Sequence, residues 1–146
     1  MKKIITVLLA CGVLFQVSAA ELNWLTDLPK AEAQAKTENK LVLLDFTGSD
    51  WCPGCILFHD EAAVSPKFAA YAKASLVLVQ VDFPDKKPQS GALKAANDAL
   101  QKKYDVEGFP TFILLNPDGK ELGRQMGYSP NGMDDLIIQL GKLSKK

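Results

Sequence analysis

The sequence predicts an α/β protein with a central mixed β-sheet flanked by helices on both faces, and three observations support this prediction. Almost wholly apolar runs, typical of strands covered on both faces, alternate with segments of helical periodicity. An Asn-Pro-Asp-Gly turn at residues 116–119 joins the last two predicted strands as an antiparallel hairpin. The resulting order, βαβα followed by ββα, requires both parallel and antiparallel strand pairs.

In the first half of the chain, prolines and small polar residues mark where helices begin. Asp27 is placed to cap a helix with Pro29 in its first turn. Ser65 and Pro66 mark a break and a restart. The predicted elements of this half are helix 30–38, strand 41–46, a helix from Pro53 past Phe58, and a helix over 68–74.

The second half continues the alternation and ends in a helix. Apolar residues at helical spacing between residues 88 and 104 predict a helix there. Ser129 and Pro130 are placed to cap the last helix. The remaining predicted elements are strand 76–81, strand 111–115, and strand 120–126 after the turn.

The first twenty residues have the pattern of a cleaved secretory signal. Lys2 and Lys3 precede an apolar stretch, residues 4–17, which is shorter than the roughly 20 residues that span a bilayer. Small residues at 18–20 suit a signal peptidase. We therefore expect a signal peptide at 1–20, one domain at 21–146, and a periplasmic or secreted protein without stable membrane insertion. A loose lipoprotein-like box ending at Cys11 leaves lipid anchoring as an alternative.

Composition excludes several partner classes. The chain carries 17 basic and 17 acidic residues, and losing Lys2 and Lys3 leaves 15 against 17. No basic surface for nucleic acid or anionic membrane is indicated. The length suits a single domain that can bury its own core. Without Cys11, Cys52 and Cys55 are the one cysteine pair left in the mature chain.

This pair is the feature on which the functional prediction depends. A Cys-Pro-Gly-Cys segment after a strand and at a helix start places its first sulfur over the helix N-terminus, which stabilises the reactive thiolate. Cys52, the more exposed sulfur, is the candidate nucleophile, and Cys55, one turn further in, is the candidate resolving cysteine. A disulfide closed across two residues adds little stability, so a purely structural pair is the weaker interpretation.

Two other side chains near the pair carry chemistry. Asp45 interrupts an apolar strand, and burial there raises the pKa of a carboxyl group. His59, the single histidine, lies on the helical face of Cys55. With Cys52 and Cys55 it offers three soft ligands for zinc or copper, although no fourth is evident. We predict no metal and place His59 as a partly solvated helix residue that is able to tune the thiols.

Residues 45–55 resemble the active-site segment of the thioredoxin superfamily, and residues 106–111 resemble its second signature, Gly-x-Pro-Thr. With the following hairpin, the likeness covers nearly all of residues 41–128, and residues 47–52 are most similar to exported bacterial thioredoxin-like proteins. It implies a thioredoxin-like fold, and a cis Pro110 that faces the cysteines. It also implies that Asp45 lies beneath Cys55 and assists its deprotonation. At the position where thioredoxins carry a lysine beside this aspartate, the sequence has Leu78.

The resemblance implies an extracytoplasmic thiol–disulfide oxidoreductase without a cofactor. Its expected partners are protein thiols and disulfides and an upstream redox protein, and we expect a monomer. Trp51, Phe109 and Thr111 are the expected substrate-binding residues, although Trp51 could equally pack over the strand end. The Pro-Gly order between the cysteines reverses the usual Gly-Pro of thioredoxins. The prediction slightly favours a reductase of substrate disulfides over an oxidase. A metal-delivery module and a non-catalytic binding domain stay open as alternatives.

Overall fold

The computed structural model describes residues 22–145, and the predicted signal segment lies outside them. The strands are β1 (Trp24–Leu25), β2 (Leu41–Thr47), β3 (Leu76–Asp82), β4 (Thr111–Leu115) and β5 (Glu121–Met126). The helices are α1 (Leu28–Glu38), α2 (Pro53–Val64), α3 (Pro66–Ser75), α4 (Gly91–Lys103) and α5 (Met133–Leu143). This order contains the predicted βαβα and ββα segments.

The strands form one mixed sheet in the order β1-β3-β2-β4-β5. β3 runs parallel to both β1 and β2, whereas β4 runs antiparallel to β2 and β5. β2 is therefore the central strand. In its register, Asp45 lies between Gln80 of β3 and Phe112 of β4, which places a carboxyl group in the middle of the sheet.

Helices cover the sheet on both faces, as predicted. Successive side chains of a buried strand point in opposite directions, so each strand has apolar side chains on both faces that the helices bury. Val42, Leu44 and Phe46 of β2 pack in one core, which contains α1 and the segment around Tyr104. Leu43 packs in the second core, together with apolar side chains of α2, α3 and α5. Since Asp45 and Thr47 alternate with the first set, they point toward the face on which α2 lies.

The predicted cap at Asp27 and the predicted helix restart at Ser65 and Pro66 are confirmed. The Lys30 backbone N–H donates to Asp27 Oδ1 at 2.9 Å, ahead of α1. The Phe68 N–H donates to Ser65 Oγ at 3.1 Å, ahead of α3. In each case a short polar side chain satisfies an N–H that the first turn of the helix leaves without an internal partner.

Two helix starts and one strand differ from the prediction. α4 begins at Gly91 and not at Pro88, because Ser90 caps it through the Leu93 N–H at 3.2 Å. α5 begins at Met133 and has no side-chain cap. Residues 129–132 instead form a turn, in which the Gly132 N–H donates to the Ser129 carbonyl at 2.9 Å. β1 was not predicted, since two residues are too short to show a periodic pattern.

Membrane-spanning helices are absent from the part of the chain that the structure describes, where every helix is too short or too polar to cross a bilayer.

Candidate active site

The cysteine pair lies at the junction of β2 and α2. Cys52 is the N-cap of α2, and its Sγ accepts a hydrogen bond from the Cys55 N–H at 3.3 Å. Pro53 occupies the first helical turn, where its missing N–H leaves no partner unsatisfied. The two sulfurs form a disulfide, with a Cα–Cα distance of 5.3 Å. The predicted strand–turn–helix setting of the pair is therefore confirmed.

The exposure of the two cysteines is lower than the sequence indicated. Cys52 is 4% exposed and Cys55 is fully buried in the disulfide state. Cys52 is still the more exposed of the two, as predicted. Cys55 is held from the β2 side by the Gly48 N–H, which lies 3.5 Å from its Sγ.

The second predicted signature meets the cysteine segment directly. The Phe109–Pro110 peptide bond is cis, as predicted. A Cβ at Gly54, between the two cysteines, would lie 3.3 Å from Pro110 Cδ and 3.6 Å from the Tyr128 carbonyl oxygen. Glycine therefore allows the helix start to approach the proline closely. The Pro110 carbonyl accepts the Gly127 N–H at 2.8 Å, which ties this edge of the site to the end of β5.

Asp45 is fully buried on the α2 side of the sheet, and its Oδ2 lies 2.8 Å from His59 Nε2. Its Oδ1 has no hydrogen-bond partner among the described residues. Burial raises the pKa of Asp45, the hydrogen bond and charge of His59 oppose that rise, and the charge of Asp82 adds to it. This carboxyl group is therefore held toward its protonated form, as the sequence analysis expected.

His59 is the partner of Asp45 that the sequence analysis did not identify. Thioredoxins place a lysine from the next strand there, and the Leu78 substitution suggested that Asp45 had none. The imidazole reaches Asp45 from α2 instead, with its side chain 24% exposed. Its ring packs against those of Trp24 and Phe58, at centroid distances of 5.3 and 5.1 Å. The four-residue spacing from Cys55 was the available signal, because it places both side chains on one helical face.

The metal alternative has no geometric support in this arrangement. The Nε2 atom of His59 is directed at Asp45, and both cysteine sulfurs are joined to each other. Between Leu22 and Lys145, no cluster of three or more histidine, cysteine, aspartate or glutamate side chains is arranged to hold a metal ion.

Aromatic side chains lie beside the pair. Trp51 is 48% exposed, and its Nε1–H donates to the Phe83 carbonyl at 2.8 Å. The indole therefore packs over the end of the sheet, and about half of its surface is accessible. Its ring centroid lies 6.0 Å from that of Phe109, which stacks on Phe83 at 5.1 Å.

Thr111 has a different environment from the one expected of a substrate-contacting side chain. It is 1% exposed, and its Oγ1–H donates to the Gly108 carbonyl at 2.7 Å. The side chain therefore braces the turn that carries Phe109 and Pro110, and we keep Thr111 as a residue that shapes the site.

Cysteine pairs at a helix start carry out thiol–disulfide exchange. Relatives of this chain have that activity, and this chain is a thiol–disulfide oxidoreductase. A family model described as a thioredoxin-like domain matches residues 28–140, and the chain belongs to that family.

Individual relatives are consistent with this assignment. The chain is 38% identical over 116 residues to the disulfide bond reductase DsbH of Chlamydia pneumoniae, covering 80% of this chain and 69% of DsbH. It is 29% identical to the thioredoxin-related protein DsbJ of the same bacterium, covering 84% of this chain. The thiol:disulfide interchange protein DsbD of Cronobacter sakazakii is 36% identical over 70% of this chain. The chain spans only 37% of DsbJ and 16% of DsbD.

Solved structures show the same fold. The DsbH oxidoreductase matches with a TM-score of 0.72 at 32% identity, over 88% of this chain and 92% of that chain. A thioredoxin from Thermus thermophilus matches with a TM-score of 0.61 at 24% identity, over 82% and 87% of the two chains, and supports the fold alone. The predicted thioredoxin-like fold is confirmed.

Proposed function

We propose that this thiol–disulfide oxidoreductase works as a reductase of protein disulfides, with Cys52 as nucleophile and Cys55 as resolving cysteine. The main supporting observation is the position of Cys52 as the N-cap of α2, with the Cys55 N–H directed at its sulfur. A helix N-terminus and an N–H donor both stabilise a thiolate at Cys52. The reductase direction is supported by the relative DsbH, which is a disulfide bond reductase.

The proposed reaction uses two thiol–disulfide exchanges. The Cys52 thiolate attacks one sulfur of the substrate disulfide, forms a mixed disulfide and releases the other substrate sulfur as a thiolate. Cys55 then loses its proton and attacks the Cys52 sulfur, which releases the second substrate thiolate. The chain is left with the Cys52–Cys55 disulfide, and the substrate has gained two electrons.

Asp45 is the group that we propose accepts the Cys55 proton. It lies three residues before Gly48, whose N–H contacts the Cys55 sulfur. Burial raises the pKa of Asp45, which makes its carboxylate a stronger proton acceptor than an ordinary aspartate. The His59 side chain contacts the buried carboxyl group and is itself partly accessible to water. The proton taken from Cys55 then has a route through Asp45 and His59 to solvent.

The substrate is proposed to lie across the cis proline and the exposed aromatic surface. Pro110 packs against Gly54, between the two cysteines, so polypeptide bound along this edge meets Cys52. Trp51 and Phe109 add apolar contact area next to the sulfur. We keep Pro110, Trp51 and Phe109 as the groups that contact substrate.

The compartment and the electron donor belong to the same proposal. The predicted signal at 1–20 supports an extracytoplasmic location, periplasmic or secreted, where an upstream thiol protein would reduce the Cys52–Cys55 disulfide after each cycle. We propose that residues 21–146 work as one domain and as a monomer.

Cysteine variants test this function in an insulin-reduction assay with dithiothreitol as electron donor. We expect Cys52→Ser to abolish activity, because no thiolate attacks the substrate. Prereduced Cys55→Ser, mixed with insulin after removal of dithiothreitol, should instead accumulate a covalent complex through Cys52, seen by mass spectrometry and released by reductant. Full turnover by Cys55→Ser would overturn the two-cysteine scheme.

The direction of electron flow requires its own measurement. Equilibration of the Cys52–Cys55 pair against glutathione of known potential gives the reduction potential. We expect a value nearer that of thioredoxin, about −270 mV, than that of DsbA, about −120 mV. A value near that of DsbA would assign the chain to substrate oxidation.

A further inference from the structure

Three consecutive residues directly before Cys52 are tied to one segment, which consists of Asp82 at the end of β3 and the residues 83–87 that follow it. We term this segment the 82–87 loop. Ser49 bonds to the Asp82 carboxylate twice, through its N–H at 2.9 Å and its Oγ–H at 2.6 Å. Asp50 and Trp51 each bond to backbone groups of the same loop. The segment that leads into the nucleophile is thereby fastened to a neighbouring loop at three successive positions.

Asp50 makes three of these contacts, all of them to backbone amides. Its Oδ1 accepts the Asp85 N–H at 2.9 Å, and its Oδ2 accepts the N–H groups of Lys86 and Lys87, each at 2.8 Å. These bonds, led by that from Asp85, lower the pKa of Asp50 to about 2. The carboxylate is therefore charged throughout the pH range in which thiol exchange is measured, and it organises three successive backbone amides of the 82–87 loop.

The same loop carries one member of the aromatic surface beside Cys52. Phe83 accepts the Trp51 Nε1–H through its carbonyl and stacks its ring on Phe109, with an interplanar angle of 19°. Trp51 meets Phe109 edge-on, at an interplanar angle of 71°. The three rings of Trp51, Phe83 and Phe109 form what we term the aromatic platform. Phe83 belongs to the loop that Asp50 holds, and the other two residues each contact Phe83.

We propose that Asp50 is a positioning residue for polypeptide substrates, which fixes the 82–87 loop and thereby the aromatic platform. This inference rests on the proposed function, because the platform matters only where a polypeptide docks beside Cys52. Rings that are already immobile cost less conformational entropy when a substrate covers them. Loss of the Asp50 carboxylate should therefore weaken docking of a folded or extended polypeptide. A small disulfide that reacts at Cys52 without covering the platform should be unaffected.

Asp50→Asn tests the proposal, because it keeps the size of the side chain but removes one accepting oxygen and the charge. Steady-state reduction is measured with insulin and with hydroxyethyl disulfide. We expect the KM for insulin to rise about tenfold with little change in kcat, the effect of having to order roughly one more side chain on binding. The rate with hydroxyethyl disulfide should stay at the wild-type value.

Asp85→Asn is the matched control, since it removes one negative charge from the 82–87 loop, next to Asp50. The Asp85 side chain accepts no hydrogen bond from any of residues 22–145, and only its backbone N–H contacts Asp50. We expect its kinetics to match wild type with both substrates. Equal losses in Asp50→Asn and Asp85→Asn would show a charge effect and overturn the positioning role.

Amide hydrogen exchange gives a readout independent of catalysis. In Asp50→Asn, the amides of Asp85, Lys86 and Lys87 should exchange faster, while those of β2 stay protected. Ser49→Ala removes the Oγ–Asp82 bond and the Lys87 Nζ–Ser49 Oγ bond but leaves the three bonds of Asp50. It should give a smaller change in the same direction if Asp50→Asn folds poorly. Unchanged exchange at these amides, or an unchanged KM for insulin, would overturn the proposal.

If the wild-type chain reduces neither disulfide, the proposed function fails and the docking role of Asp50 fails with it. Amide hydrogen exchange still shows whether Asp50 orders the 82–87 loop.

Discussion

Asp45 shows how one residue combines a structural cost with a chemical use. A fully buried carboxyl group with one oxygen lacking a partner within the described chain opposes folding whenever it is ionised. The sequence marks this position, because aspartate is rare in an apolar strand. What it does not show is the imidazole of His59, which reaches the carboxyl group from the adjacent helix.

Asp45→Asn should stabilise the protein at neutral pH. Because the folded pKa of Asp45 is raised from the ordinary 3.8, the unfolded chain releases this proton at lower pH than the folded one. The free energy of unfolding therefore falls as pH rises above the ordinary value, until the folded group also ionises. Asparagine does not ionise, so Asp45→Asn does not lose stability in this way. We expect its free energy of unfolding to exceed that of wild type by about 1–3 kcal/mol at pH 7 and to differ little near pH 3.

Urea unfolding of both proteins between pH 3 and pH 8 checks this dependence. His59→Gln, with Asp45 intact, serves as the comparison. It removes the charge that opposes the rise in the Asp45 pKa, so the stability of this variant should continue to fall to a higher pH than that of wild type. A constant difference between Asp45→Asn and wild type across this range would contradict a raised pKa.

At the scale of the element, α2 has two functions along its length. Its first turn carries Cys52 and Cys55, and its middle is anchored by Phe58, which is fully buried. The Phe58 ring lies 4.7 Å from that of Phe112 and 5.4 Å from that of Tyr128, measured between centroids. The packing of this ring holds the helix against the sheet and so holds the cysteines over the end of β2.

Phe58→Ala should therefore destabilise the fold by about 3–5 kcal/mol, the usual cost of removing a large buried ring. Val64→Ala on the same helix is the matched control, since Val64 is 78% exposed, and we expect a change within about 0.5 kcal/mol. Chemical denaturation measures both variants. Similar values for the two would mean that α2 is not held through Phe58.

The whole molecule rests on two apolar cores, one on each face of the sheet, and the disulfide lies at the edge of this arrangement. A redox enzyme of this kind must stay folded in both of its states. The separation of three positions between Cys52 and Cys55 makes the closed loop very short, so the disulfide restricts the unfolded chain little.

Reduction of the disulfide should therefore cost no more than about 2 kcal/mol of unfolding free energy. Urea unfolding of the oxidised protein and of the protein in excess reductant measures the difference. The m value should be the same in the two states, because the same surface is exposed on unfolding. Unfolding on reduction under native conditions would show that the pair is a structural staple.

Local signals in the sequence predicted most of the secondary structure. Asp27 and Ser65 mark helix starts because a cap acts within three residues. The start of α5 was misplaced, because the Ser129-Pro130 pair forms a turn and Gly132 precedes the helix without a side-chain cap. β1 was missed because its pairing with β3 bridges more than fifty residues and leaves no local pattern.

Residue order alone predicted the alternating elements, the family resemblance, the cysteine pair and the unusual carboxyl group. Each of these depends on residue identity over short spacings. Tertiary structure decided which side chains meet across the fold: His59 with Asp45, Pro110 with Gly54, and Asp50 with the 82–87 loop. The physical reason is that such contacts depend on strand register and helix packing, which bring together residues that are distant in the chain.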